Sequence, residues 1–340
     1  MKKESNLKSI ISVIILFLLT ILVLYFSLKN DFSNIISQIL SVNIFLLIVA
    51  FIFFLLYWFF KSIVLYNFTK KFNENYKFSN AIRTQAVTQF FNAVTPFSSG
   101  GQPFQIYSLK RSGLNISNAT NVTIEEFVVY QIALVFLGIL AILGNHILNI
   151  FPPDNFLSKL VILGFSINTF VIIILFIIAF GKKSNTFLIN KAINILSFFK
   201  IVKDKDKTIE KWNLYINNFH KGAKILVANK KDFFLNILYS FIGLICLYMV
   251  PFWISYSMGD FTSFNVFESV IAVSYVMLIG SFVPLPGGTG GIEYGFIKFF
   301  GVFVFSEAKL KALMLLWRFI TFYMGIILGS IALNIKGRND

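Results

Sequence analysis

Long apolar runs without a charge dominate the chain: residues 9–28, 32–60, 127–153 and 160–181 contain no Asp, Glu, Lys or Arg. At a rise of about 1.5 Å per residue, roughly twenty helical residues cross the ~30 Å hydrocarbon core of a bilayer. The pattern predicts an all-α polytopic membrane protein. Full spans fall near residues 9–28, 42–60, 127–150, 160–180, 233–256 and 313–333. The alternating pattern of a transmembrane β-barrel is absent. The first segment lacks a small-residue cleavage site and is read as a retained helix.

Two further apolar stretches are broken in the middle by proline and clustered glycine. Between residues 84 and 109 the chain reads Thr95-Pro96-Phe97-Ser98-Ser99-Gly100-Gly101-Gln102-Pro103. Between 269 and 294 it reads Val283-Pro284-Leu285-Pro286-Gly287-Gly288-Thr289-Gly290-Gly291-Ile292-Glu293. Unwound backbone at membrane depth is tolerated only where protein or a watery cavity satisfies its amides. One such break in each half is the pattern of a transport site built from discontinuous helices. A single crossing by 84–109 would put the Lys110-Arg111 turn outside and invert every later loop. A re-entrant hairpin returns the chain to its starting side; two short full spans would preserve the same topology. The second hairpin enters from the opposite face, with Pro96 and Pro284 in corresponding places, an internal symmetry of the inverted-repeat kind. The expected total is about six full spans plus two opposed hairpins, or 8–10 membrane segments in one domain, residues 1–340.

Composition supports this reading: 57% of residues are apolar, 13% are charged, and the mean hydropathy is +0.77. The net charge of +15 invites a nucleic-acid partner, but its distribution follows the positive-inside rule. Lys2, Lys3 and Lys8, the cations from Lys61 to Arg83, Lys110, Arg111, the 182–231 loop, Lys336 and Arg338 all fall on one face. This predicts a multi-pass plasma-membrane protein with both termini cytoplasmic and no DNA partner; RNA binding by the basic loop stays open. The polar segment 181–232 contains Ile209, Trp212, Ile216, Phe219 and Ala223 at helical spacing. Two readings stand: a helix lying on anionic headgroups, or one packed beneath the bundle. Cys246 is the sole cysteine, and His146 and His220 lie on different elements. Neither a disulfide, a metal site nor a cofactor is expected.

Few ionisable groups fall at membrane depth: Glu268, Glu293, Lys298 and Arg318, with Glu125 and Glu126 at a helix entrance. Such charges usually face a cavity or each other. Glu293 follows the second break directly, and Arg318 lies one to two turns into the last span, so the two are expected to pair. Either the pair binds a lipid headgroup or it only holds helices together. The glycine amides at Gly100, Gly101, Gly287, Gly288, Gly290 and Gly291 offer an anion site at a helix N-terminus, or simply permit close packing. No soluble catalytic motif appears, and the longest loop is about fifty residues, less than a separate enzymatic domain needs.

Together these motifs resemble the flippase-like family that forms the membrane region of lysylphosphatidylglycerol synthase, the multiple peptide resistance factor. The family reads roughly Pro-x-Pro-Gly-Gly-x-Gly-x-x-Glu, then Arg in the last helix before a Gly. Here those are Pro284, Pro286, Gly287, Gly288, Gly290, Glu293, Arg318 and Gly329. An earlier motif is similar to Asn92, Pro96, Gly101, Lys110 and Arg111, and Glu125 resembles a Glu opening the next helix. The chain departs from the family at Gln102, where an acid is common, and at Glu126, where an Arg is common. The resemblance implies a translocator of a polar-headed lipid, such as lysylphosphatidylglycerol, contributing to cationic-peptide resistance. Its implied headgroup residues are Glu293, Arg318, Asn92, Glu125 and the glycines. The alternative is a phosphatidylglycerol lysyltransferase using lysyl-tRNA, or the membrane subunit of one. The missing soluble aminoacyltransferase domain inclines the reading away from an enzyme. Expected partners are membrane phospholipid and a separate lysylphosphatidylglycerol synthase, with a homo-oligomer left open.

Overall fold

The computed structural model describes residues 32–152, 155–198 and 204–334. Helices account for its regular structure, with no strand among the described residues. In chain order they are α1 (Phe32–Leu40), α2 (Ile44–Lys70), α3 (Phe78–Val94), α4 (Gly101–Arg111), α5 (Ile116–Leu148), α6 (Asn155–Phe180), α7 (Lys182–Phe198) and α8 (Lys205–Ala228). There follow α9 (Lys230–Tyr248), α10 (Val250–Ser257), α11 (Val266–Gly280), α12 (Gly291–Phe300), α13 (Glu307–Arg318) and α14 (Met324–Asn334). Among the described residues five helices are long and apolar enough to cross a membrane: Ile44–Lys70, Ile116–Leu148, Phe156–Ile177, Lys230–Ser257 and Glu307–Asn334. Five of the six expected spans are therefore met; the sixth, 9–28, lies outside the described residues.

Local chemistry explains the span ends. Asn43 and Asn115 sit at helix N-caps, where their side-chain oxygens accept from the N–H groups of Leu46 and Asn118. Asn149 closes α5 in the left-handed conformation, φ +48°. Helix α2 runs ten residues beyond the expected end at 60. Helices α9 and α10 meet at Met249, with Pro251 in the first turn of α10, where its missing N–H costs nothing. Arg318 is followed by a five-residue π-helical turn, Phe319–Tyr323, which widens the last span before α14.

Both broken stretches form helix–turn–helix hairpins, α3–α4 and α11–α12. Their turns share one hydrogen-bond pattern. In the first, Pro96 is followed by left-handed Phe97 and Ser98, φ +54° and +53°; in the second, Pro286 is followed by left-handed Gly287 and Gly288, φ +62° and +64°. The N–H of Ser98 donates to Thr95 O and that of Ser99 to Pro96 O. Gly288 and Thr289 donate to Leu285 O and Pro286 O in the same register. The hydroxyls of Ser99 and Thr289 also donate to the carbonyls of Pro96 and Pro286, at 2.9 and 2.8 Å. The correspondence therefore runs Pro96 to Pro286, not to Pro284 as the sequence suggested. Gly100 and Gly101 then match Gly290 and Gly291, where each second arm begins. The first of these arms starts two residues ahead of Pro103, which sits harmlessly in its opening turn.

The hairpins enter from opposite ends of the bundle. The open end of α3–α4 lies beside the C-terminal end of α2, where Asn73 Nδ2 donates to Ser112 O at 2.7 Å. At the other end of α2, Asn43 N–H donates to Ser257 O at 2.6 Å. There Phe264 packs on Phe300 and Phe303 at the open end of α11–α12. Arms of 11 and 10 residues in α4 and α12 reach about 15 Å, half a bilayer core. The two turns meet between them. Each first arm is fastened by glycine-mediated close approach. A Cβ on Gly329 of α14 would lie 2.5 Å from Ala86 O of α3, and one on Gly164 of α6 would lie 2.1 Å from Leu278 O of α11.

Helix α8 packs along one edge through buried Ile216, Gly222, Ala223 and His220, against α5 and α7. Trp212, on the same predicted stripe, remains 47% exposed. Packing beneath the bundle thus claims part of the stripe and leaves the rest at the surface.

At the opposite end, Lys309 Nζ lies 2.8 Å from Asp260 Oδ2 and ties the α10–α11 loop to α13. Burial disfavours the Asp260 charge, but the hydrogen bonds from Lys309 and Ser263 together prevail and hold its carboxyl below the ordinary value. Because the folded value is depressed, this stabilisation is present above the unfolded Asp value of about 3.9 and is lost as pH falls through the folded one. Asp260→Asn is expected to lower the melting temperature at neutral pH and to flatten its decline below about pH 4; an unaltered acid profile would discount the bridge. The opposed entry is checked by labelling a cysteine-free background. A cysteine replacing exposed Thr262 should react with an impermeant maleimide on one side of a sealed membrane, and one replacing exposed Asn75 on the other. Reaction from the same side would contradict the topology.

Candidate functional site

A cavity of about 480 Å³ lies where the two turns meet, lined by α2, α3, α5, α11, both turns and the end of α13. Its polar groups fall into two sets that differ in how completely they are paired.

The first set forms the floor made by the second turn. Arg318 Nε lies 2.8 Å from Glu293 Oε1, as the sequence led us to expect. Arg318 also donates from Nη1 to Gly287 O at 3.2 Å and from Nη2 to Thr289 Oγ1 at 3.4 Å, and its guanidinium lies 4.3 Å from the Phe322 ring centre. The other oxygen of Glu293 accepts the Gly290 N–H at 2.6 Å, capping α12. Both oxygens of Glu293 are thus engaged, and the arginine staples the second turn to the last span. Glycine is required at 287: besides its positive φ, a Cβ there would lie 2.1 Å from Phe322 Cε2.

The amides of Gly100, Gly101 and Gly288 are similarly engaged. Gly101 N–H donates to Asn92 Oδ1 at 3.0 Å, and Gly100 N–H to Thr95 Oγ1 at 2.8 Å. Gly288 N–H donates to Leu285 O at 2.9 Å. A Cβ on Gly101 would fall 2.2 Å from Asn92 Oδ1, so Asn92 and Gly101 specify each other. Of the expected headgroup residues, Asn92, Gly287, Gly288 and Arg318 line the cavity. Glu125 lies elsewhere: it is 1% exposed, outside the cavity lining, and neither carboxylate oxygen has a hydrogen-bond partner. Glu268 caps α11 by a reciprocal pair with Asn265. Lys298 is exposed beside Tyr294.

The second set consists of residues noted in the sequence but not assigned to the site. Glu126, one residue from Glu125 and so about 100° around α5, faces the cavity. Its carboxylate accepts from Gln85 Nε2 of α3 at 2.5 Å and from Gln105 Nε2 of α4. Lys61, counted by charge with the inner-face cations, lines the cavity, its ammonium 5.8 and 5.4 Å from the ring centres of Tyr57 and Tyr130. A signal was available: Lys61 is the first charge after a run clear of charges from residue 32, and Tyr57 precedes it by four. Glutamines at 85, 105 and 131 in otherwise apolar stretches carry the same message. No group of three or more His, Cys, Asp or Glu able to hold a metal occurs among the described residues.

Residues 9–329 match the family described as the lysylphosphatidylglycerol synthase TM region. The chain belongs to this family. An uncharacterized protein of Mycoplasma pneumoniae, described as an MG306 homolog, is 27% identical over 270 residues, covering 72% of this chain and 66% of that protein. The family and the bundle of apolar helices make this a membrane-embedded, multi-pass helical protein.

Removing one member of a buried ion pair strands the other, at a cost of about 3–5 kcal/mol. Glu293→Ala is therefore expected to lower the melting temperature in detergent substantially, and Glu293→Gln to lower it less, because its amide oxygen still accepts from Gly290. Wild-type melting of Glu293→Ala would show that the pair does not fasten the turn.

Proposed function

We propose that this protein translocates a polar-headed lipid across the cell membrane, with both termini in the cytoplasm. The observation that carries the reading is the polar cavity between two half-length hairpins of opposite entry, which meet at their turns. A headgroup crossing hydrocarbon needs polar groups at mid-depth, and opposed hairpins provide a site that rearrangement of either one exposes to one side. The family description supports lysylphosphatidylglycerol, or a related phospholipid, as the cargo, and through it a contribution to cationic-peptide resistance. In this reading Arg318, Gly287 and Gly288 shape the headgroup cavity with Asn92 at its wall, and Glu293 holds Arg318 in place from behind it.

The second reading, a lysyltransferase or the membrane subunit of one, is favoured by the word synthase in the family description. Reconstitution separates the two. Proteoliposomes carrying lysylphosphatidylglycerol are treated with an impermeant amine reagent. The translocator reading predicts that the pool initially protected in the inner leaflet becomes labelled faster than in protein-free vesicles; equal rates would remove it. New lysylphosphatidylglycerol from lysyl-tRNA and phosphatidylglycerol, with no synthase added, would establish the enzyme instead.

A further inference from the structure

Two ionisable side chains in the cavity are not closed into an ion pair. Lys61 and Glu126 both line it, yet no ion pair within 4.0 Å involves either of them among the described residues. Lys61 lies over the rings of Tyr57 and Tyr130, which stabilise its charge without cancelling it. Glu126 is 6% exposed and is held by two neutral amides. Each amide satisfies part of the carboxylate's hydrogen-bonding capacity without cancelling its charge. A pair serving only to join helices gains most by closing, as Glu293 and Arg318 do at 2.8 Å.

Three further buried polar atoms on the cavity wall have no hydrogen-bond partner in the protein: Thr88 Oγ1, Gln131 Oε1 and Trp317 Nε1. Buried polar groups are rarely left so. They add donors and an acceptor to the same cavity wall, and with Lys61 and Glu126 they suit a ligand carrying both signs of charge and several oxygens.

We infer that Lys61 and Glu126 form the headgroup-recognition subsite, Lys61 taking a phosphate and Glu126 a primary ammonium on the same ligand. The subsite deepens the translocator reading and rests on it for the lipid nature of the ligand. A cavity of about 480 Å³ is of ordinary size for a small-molecule site. Glu126 has a second consequence. Its amide donors come from the two arms of the first hairpin, Gln85 from α3 and Gln105 from α4, so a ligand drawing on the carboxylate pulls against both arms. Headgroup binding and the position of the hairpin are thereby linked through one side chain.

The test uses the purified full-length protein and three probes. These are dihexanoyl phosphatidylethanolamine, which carries both charges, dihexanoyl phosphatidylglycerol, which lacks the ammonium, and O-phosphoethanolamine, the zwitterion without acyl chains. The ethanolamine lipid should bind more tightly than the glycerol lipid. Glu126→Gln should reduce that preference about tenfold or more, the scale of one charge-assisted hydrogen bond, and Lys61→Gln should weaken both lipids. Tighter binding of O-phosphoethanolamine than of the ethanolamine lipid would make the ligand a free phosphate ester; the reverse would make it a lipid. Folded variants with wild-type dissociation constants and preference would overturn the subsite. Should a variant fail to fold, the wild-type protein answers alone: carbodiimide modification of Glu126, read by peptide mass spectrometry, should be slowed by the ethanolamine lipid and not by the glycerol lipid. Equal modification under both conditions would overturn the inference. Selective binding without transport in vesicles would remove the translocator reading and keep the subsite; transport untouched in both variants would do the opposite.

Discussion

A backbone amide leaving a helix inside hydrocarbon must find another partner, and that single requirement organises this protein. Proline follows each first arm, two residues after Val94 in one hairpin and four after Gly280 in the other, and each turn draws partners from itself and from its neighbours. Carbonyls are reclaimed by the next N–H groups and by the hydroxyls of Ser99 and Thr289. The N–H groups of the restarting helices go to Asn92 and Thr95 in one turn and to Glu293 in the other. Turns supported in this way can stand at the centre of a bundle and bound a cavity.

The same accounting divides the charges. Glu293 and Arg318 are partners in a network that also holds Gly287 and Thr289, and that network fixes the second turn against the last span. Lys61 and Glu126 sit in the same cavity with amides and aromatic rings around them and without an opposite charge in contact. An arrangement that costs desolvation and leaves the charges unpaired is poor as a device for stability alone. It suits a site that exchanges ligand. Structure and recognition are thus assigned to different pairs, with the paired set forming the floor and the unpaired set the reading head.

The spans were legible because a charge-free run of twenty residues has few alternatives to crossing a membrane. The hairpins were legible because proline and glycine in such a run need a covered cavity. Glu293 and Arg318 were legible as a pair because both stand at comparable depth in apolar surroundings. The register between the two turns was not: a match of glycine pairs is short, and Pro284 and Pro286 compete until the hydrogen bonds choose Pro286. The identity of the cavity carboxylate was also hidden. Glu125 and Glu126 are neighbours in sequence, and only the rotation of α5 decides that Glu126 faces Gln85 and Gln105 while Glu125 turns away. Lys61 was lost to bookkeeping, because a cation near the end of a span counts equally well as a topology signal or as a lining group.

The most direct test of the whole account is a cryo-electron microscopy structure of the protein in nanodiscs, solved with an aminophospholipid present. The account predicts both turns, 95–100 and 285–290, near the middle of the disc. Headgroup density should lie between Lys61 and Glu126, with the acyl chains leaving sideways into the bilayer. Turns lying at the disc surface, or lipid headgroups found only at the rim with protein side chains filling the cavity, would contradict it.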